Sequence, residues 1–231
     1  MSGQLLLGVR LRDSSVFKSY FAGPNRGVVD TLRALAPGSL PPCVYLHAAP
    51  AAGKSHLLQA VCADAAHRGL TAAYLPLAEL SRMGAEMLSG WGELDIVCVD
   101  DVERIAADRD WNRALFALHQ QLEERRGKLL VASASAPAAL RMTLPDLSSR
   151  LAGGVILTLQ SLSEVEQLRA LQLHAQLRGF ELPDDTARFM LHRLPRDMTT
   201  LCRVLDELDE ASLVAQRKLT VRFVAEVMKG G

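Results

Sequence analysis

Phosphate chemistry is written into the run Ala48-Ala49-Pro50-Ala51-Ala52-Gly53-Lys54-Ser55. A phosphate-binding turn needs backbone N–H groups aimed at phosphate oxygens from a helix N-terminus. It also needs a lysine that reaches the outer phosphates and a hydroxyl for Mg²⁺. Gly53, Lys54 and Ser55 supply the last part of that pattern. The first part departs from it, because Ala48 and Ala51 stand where glycines are usual. Alanine resists positive φ, and each strained position costs on the order of 1 kcal/mol. The competing reading is a plain strand-to-helix turn that happens to carry a Lys and a Ser. A second candidate is Asp100-Asp101, which follows an apolar run over 95–99. At the C-terminal tip of a strand beside such a loop, one carboxylate can hold Mg²⁺ through water and its neighbour can orient an attacking water. Without the loop upstream, the same pair reads as an ordinary turn.

The elements that must hold these residues follow from hydrophobic spacing. Residues 43–46 form a short apolar run, read as a buried strand. Leu57, Leu58, Val61, Cys62 and Ala65 then recur at helical spacing over 55–67. A helix is expected before the loop at 27–36, after the hooked turn of Phe17 to Asn25. Further strands are expected at 72–75, 95–99, 128–133 and 155–159, with helices at 78–88, 111–125 and around 144–151. Strands alternating with helices predict an α/β core, a five-stranded parallel sheet covered on both faces. Beyond Gln160 no strand signal remains. Ser163 with Glu166 makes a capping box, Gly179 stops that helix, and Thr220 caps a last one. Residues 1–12 are therefore read as a tail, 13–161 as the core and 162–231 as an all-helical domain.

Composition narrows the function. Lys+Arg and Asp+Glu balance at 26 each, which argues against non-specific nucleic-acid binding as the main task. The 49% hydrophobic content suffices for a sizeable core, and no run reaches the ~18 apolar residues of a membrane span. The four cysteines lack C-x-x-C spacing, so buried free thiols are expected and zinc is not. Arg10 and Arg12 follow the first apolar stretch instead of preceding it, so no secretory signal is expected and the location is read as cytoplasmic. Gln4-Leu5-Leu6-Leu7 is either a frayed terminus or edge strand, or a short linear motif for a partner's pocket.

Together these residues resemble the AAA+ ATPases, and within them the DnaA-related branch, which holds the bacterial replication initiator and shorter regulators that inactivate it. The stretches 17–25, 55–58, 144–151, 168–183 and 215–220 carry the resemblance more specifically than the loop does. It implies an AAA+ core with a helical lid, an adenine nucleotide and Mg²⁺. Gly23, Pro24 and Asn25 would lie against the adenine, and Gly53, Lys54, Ser55 and His56 around the phosphates. Ser55 and Asp100 would serve the metal, with a subsidiary catalytic part for Asp101. Arg150 matches the arginine finger, which acts on nucleotide held by a neighbouring protomer; without the resemblance it is a surface Arg at a helix C-terminus. Gln4, Leu5, Leu6 and Leu7 resemble the motif that docks on the DNA polymerase sliding clamp, with Gly8 a departure from it.

Two phosphate-sensing positions of the family fall on Ala134 and Thr199, with Arg196 three positions from the latter. The receiving half of the site is thus eroded while the donating half is intact. The expected protein favours ADP, turns over slowly, docks on the clamp and stimulates hydrolysis of DnaA-bound ATP in trans, as a negative regulator of initiation. It would touch DNA only indirectly, with self-association open. The sequence shows no DNA-reading helix-turn-helix after the lid, which argues against an initiator. The alternatives are an autonomous ATPase and a DNA-loading or scaffold module.

Overall fold

The computed structural model describes residues 15–38, 41–195, 197–215 and 220–230. In chain order its elements are α1 (Arg26–Arg33), β1 (Cys43–His47), α2 (Lys54–His67), β2 (Ala72–Pro76), α3 (Leu77–Leu80), β3 (Ile96–Asp100), α4 (Arg109–Glu124), β4 (Lys128–Ser133), α5 (Pro145–Ala152) and β5 (Val155–Thr158). Four helices follow: α6 (Glu164–Leu177), α7 (Asp184–Arg193), α8 (Met198–Ala215) and α9 (Val221–Gly230).

The sheet has five parallel strands in the order β2-β3-β4-β1-β5. Every residue of β3 and β4 is buried, as is β1 up to His47, which is why these strands read as unbroken apolar runs. β5 lies at an edge, and its exposure alternates residue by residue. On one face Tyr45, Val97, Val99 and Val131 pack against Trp111, Leu115, Leu118 and Leu122 of α4. The register aligns His47 with Ser133 and Pro76 with Asp100, so the ends of β1, β4, β3 and β2 form one rim of the sheet. The Asp108 carboxylate caps α4 by accepting from the N–H groups of Asp110 and Trp111.

The helix expected at 78–88 is not continuous. α3 ends at Leu80, and a separate 3-10 turn spans Ala85–Leu88. Gly84 stands between them at φ 116°, a conformation that no helix passes through. Gly90 closes that turn region at φ 86°.

The described residues form two compact units, one of 15–17 with 24–161 and one of 18–23 with 162–230. The second is all helical. Leu168, Leu171, Leu201, Leu205, Leu208 and Phe223 meet in its core. Its first helix starts in the expected capping box, where Ser163 accepts from the Glu166 N–H and Glu166 accepts from the Ser163 N–H. Thr220 caps α9 by accepting from the Phe223 N–H. All four cysteines are free thiols; Cys43, Cys62 and Cys98 are buried. Among the described residues no helix is long and apolar enough to cross a membrane.

Candidate functional site

The loop between β1 and α2 keeps the shape its glycines would normally secure. Ala51 sits at φ 60° and Gly53 at φ 93°, both left-handed. The strain anticipated for alanine is therefore present at Ala51, at about 1–2 kcal/mol. The loop starts from Ala48, whose N–H donates to the Ser133 carbonyl at 3.3 Å. Gly53 is the N-cap of α2 and has no side chain to satisfy the first-turn N–H groups, so that end presents donors and a positive dipole. Lys54 is buried, and its Nζ donates to the carbonyls of Ala48 at 3.0 Å and Ala49 at 3.2 Å. The ammonium thus closes over the loop from inside it. Ser55 is exposed on the same first turn.

Asp100 ends β3 and is buried. Its Oδ1 accepts from the Asp101 N–H at 3.0 Å and its Oδ2 from the Tyr74 hydroxyl at 2.8 Å. Burial, then the Asp100 charge, pushes the Tyr74 phenol up, and hydrogen bonding with the Gln59 and Ser55 side chains works the other way. Asp101 follows at φ 56°, tolerable for Asp in the left-handed region. Its carboxyl is raised above the usual range by burial, by Asp100 and by Glu103, against the pull of Lys54 and Arg104. Ala134, the expected sensing position, gives its N–H to Glu103 Oε1 at 3.1 Å.

His56 turns its ring elsewhere. Its Nε2 is 3.0 Å from the Val16 carbonyl, which can only accept, so that nitrogen carries the proton. Burial lowers the pKa of His56. Gly23, Pro24 and Asn25 make one 3-10 turn, and a Cβ on Gly23 would come within 2.9 Å of the Phe21 ring. The buried Asn25 amide clamps the backbone of Gln160, donating to its carbonyl at 3.0 Å and accepting its N–H at 2.7 Å. Arg150 is half exposed on α5, and its guanidinium donates to Glu123 of α4 at 2.9 Å. Beside that carboxylate, at 3.8 Å, is Nδ1 of the buried His119, which has no hydrogen-bond partner among the described residues.

The fold thus gathers Lys54, Ser55, Asp100 and Asp101 at one rim of the sheet, while the partner of Arg150 is on α4. Sequence reasoning missed Tyr74, Glu103, Glu123 and the Asn25–Gln160 clamp. Their partners lie 26, 31, 27 and 135 positions away, beyond any local pattern. Gln4 to Leu7 and Arg196 lie outside the described residues.

The residues present fit a nucleotide with Mg²⁺. The loop has the left-handed geometry, the cation and the helix end that phosphate needs. Among the described residues no group of three or more His, Cys, Asp or Glu is gathered for a metal. Mg²⁺ does not need one, since it binds through one or two protein groups, water and phosphate.

This strand order, a phosphate loop after β1, an acid pair after β3 and a trailing helical unit define an AAA+ core with its lid. The model of the bacterial DnaA ATPase domain matches residues 13–158, and that of the Hda lid domain matches residues 164–228. The chain belongs to this DnaA-related family. Domain III of the Thermotoga maritima replication initiation protein DnaA superposes with a TM-score of 0.76 at 16% identity, covering 96% of this chain and 98% of that one. AMPPCP-bound DnaA from Aquifex aeolicus gives 0.71 at 17% identity, over 87% of this chain and 67% of that one. The Thermotoga maritima RuvB Holliday junction branch migration motor gives 0.66 at 16% identity, over 92% and 72%. At such identities the likeness is one of fold.

Proposed function

We propose that this chain is a negative regulator of replication initiation that presents Arg150 to ATP held by DnaA. One contrast carries the reading. The chain's own phosphate-sensing position, Ala134, has no polar side chain and its N–H is taken by Glu103, whereas Arg150 stands half exposed within Asp146-Leu147-Ser148-Ser149-Arg150-Leu151. The DnaA ATPase and Hda lid matches support a role in initiation. An arginine supplied in trans neutralises charge on the transferred phosphoryl group with a rigid fork of donors.

The chain's own site holds an adenine nucleotide, as the AMPPCP named with the Aquifex DnaA structure supports for the class; it prefers ADP because Ala134 offers no polar side chain to a third phosphate. Lys54 and the α2 N-terminus would take the phosphates, and the Gly23-Pro24-Asn25 turn the adenine. Ser55 and Asp100 would hold Mg²⁺, which neutralises phosphate charge when bound. Its own turnover is slow. Gln4, Leu5, Leu6 and Leu7 dock on the sliding clamp, and the protein works in the cytoplasm.

The test is hydrolysis of DnaA-bound ATP with clamp-loaded DNA, with and without this protein. Arg150→Ala is expected to lower the stimulated rate by about 10³–10⁵, the usual worth of such a finger. Arg150→Lys is expected to fail too, because an ammonium lacks the bidentate fork. Stimulation at the unaltered rate by either variant would remove the proposal. Rapid turnover by the isolated protein, lost in Asp100→Ala, would favour an autonomous ATPase.

A further inference from the structure

We propose that Glu103 makes this nucleotide site select a diphosphate over a triphosphate. The inference rests on the nucleotide reading above and names the group that sets its preference.

Glu103 lies in the 3-10 turn Val102–Ile105 that follows β3. Its position relative to the phosphate loop follows from a short series of contacts. Glu103 Oε1 accepts from the N–H of Ala134, the first residue after β4. The carbonyl of the preceding residue, Ser133, accepts from the N–H of Ala48 at the base of the loop. The carbonyl of Ala48 in turn accepts from Lys54 Nζ. The carboxylate therefore binds at the tip of β4, the strand next to β1, one peptide along from the bond that holds the foot of the loop.

Two consequences follow for a ligand. The backbone donor at the tip of β4 is already taken by a carboxylate, so it is closed to a phosphate oxygen or its water. The other carboxylate oxygen, Oε2, is out of water and has no hydrogen-bond partner among the described residues. Among the described residues, then, no donor faces that oxygen at this rim. A nucleoside diphosphate engages Lys54 and the helix end. A third phosphate brings more negative charge towards the Glu103 carboxylate, where the Coulomb cost in a partly desolvated site is large.

Glu103→Gln separates charge from bracing. The amide oxygen can still accept the Ala134 N–H, so a bracing role survives while the negative charge goes. Calorimetric titrations of the full chain with ADP, ATP and AMPPCP, with Mg²⁺ and with chelator, give the preference directly. The wild type is expected to bind ADP more tightly than either triphosphate. In Glu103→Gln the ratio should narrow by about tenfold or more, through tighter triphosphate binding with ADP affinity nearly unchanged. Glu103→Ala, which removes both the charge and the acceptor, should narrow it likewise. Normal ADP binding with an unchanged ratio in both variants overturns the inference and leaves the nucleotide site standing. Failure of the wild type to bind ADP at millimolar concentration overturns both.

Discussion

Ala51 carries a cost that a glycine would not. At φ 60° its Cβ is strained, while glycine visits that region freely. Ala51→Gly relieves the strain and loses some chain entropy on folding, so a net gain of roughly 0.5–1 kcal/mol is expected. Urea titration checks this, and an unchanged or lower midpoint would contradict it. Tyr74 works in the opposite direction. Its hydroxyl is the donor that Asp100 Oδ2 has in a buried place. Tyr74→Phe leaves that oxygen without its donor, and a loss of about 1–3 kcal/mol is expected by the same method. A neutral result would mean that water replaces the phenol.

Helices α4 and α5 share an ion pair, Glu123–Arg150, whose members are 41% and 46% exposed. An exposed pair contributes only about 0–1 kcal/mol, so Arg150→Ala should melt near the wild type even where stimulation is lost. The guanidinium is thus held loosely enough to leave α4. His119 lies beneath this pair. Burial lowers its pKa below 6.5, ahead of the opposing pull of Glu123, and Arg150 adds to the lowering. His56 is lowered too, by burial, against the Val16 hydrogen bond. In the window just below about 6.5 the unfolded chain binds more protons at these sites than the folded one, so stability rises with pH there. Folded-state stability is full above the window and falls as pH drops through it. Denaturant midpoints between pH 7.5 and 5.5 should show that slope, and His119→Phe should flatten it in part. A slope unaffected by the substitution would assign the effect to other groups.

For the molecule as a whole, the proposed docking segment and the folded units should act separately. Replacing Gln4, Leu5 and Leu7 by Ala is expected to abolish co-elution with the sliding clamp and to leave the melting temperature unchanged, because the segment precedes the core elements. Single short motifs bind weakly, but two copies on one ring gain on the order of 10²–10⁴ in avidity. Undiminished co-elution of the triple variant would reject the motif.

The sequence alone determined the kinds of element and their order, because those signals are local. Apolar runs marked β1, β3 and β4, helical spacing marked α2, and Ser163 with Glu166 marked the start of α6. It also singled out Lys54, Ser55 and Asp100, since a phosphate loop and a strand-end acid have characteristic neighbours along the chain. The helix over 78–88 was misread because local spacing does not reveal that Gly84 takes φ 116°. What tertiary structure decided is who meets whom at the rim. The pairing of β4 between β3 and β1 brings Glu103 to Ala134 and Ser133 to Ala48. The parallel register of β2 with β3 sets Tyr74 beside Cys98, from where its hydroxyl reaches Asp100. Each contact joins residues whose separation is set by a helical crossover, and the length of a crossover carries no record of what its ends will touch.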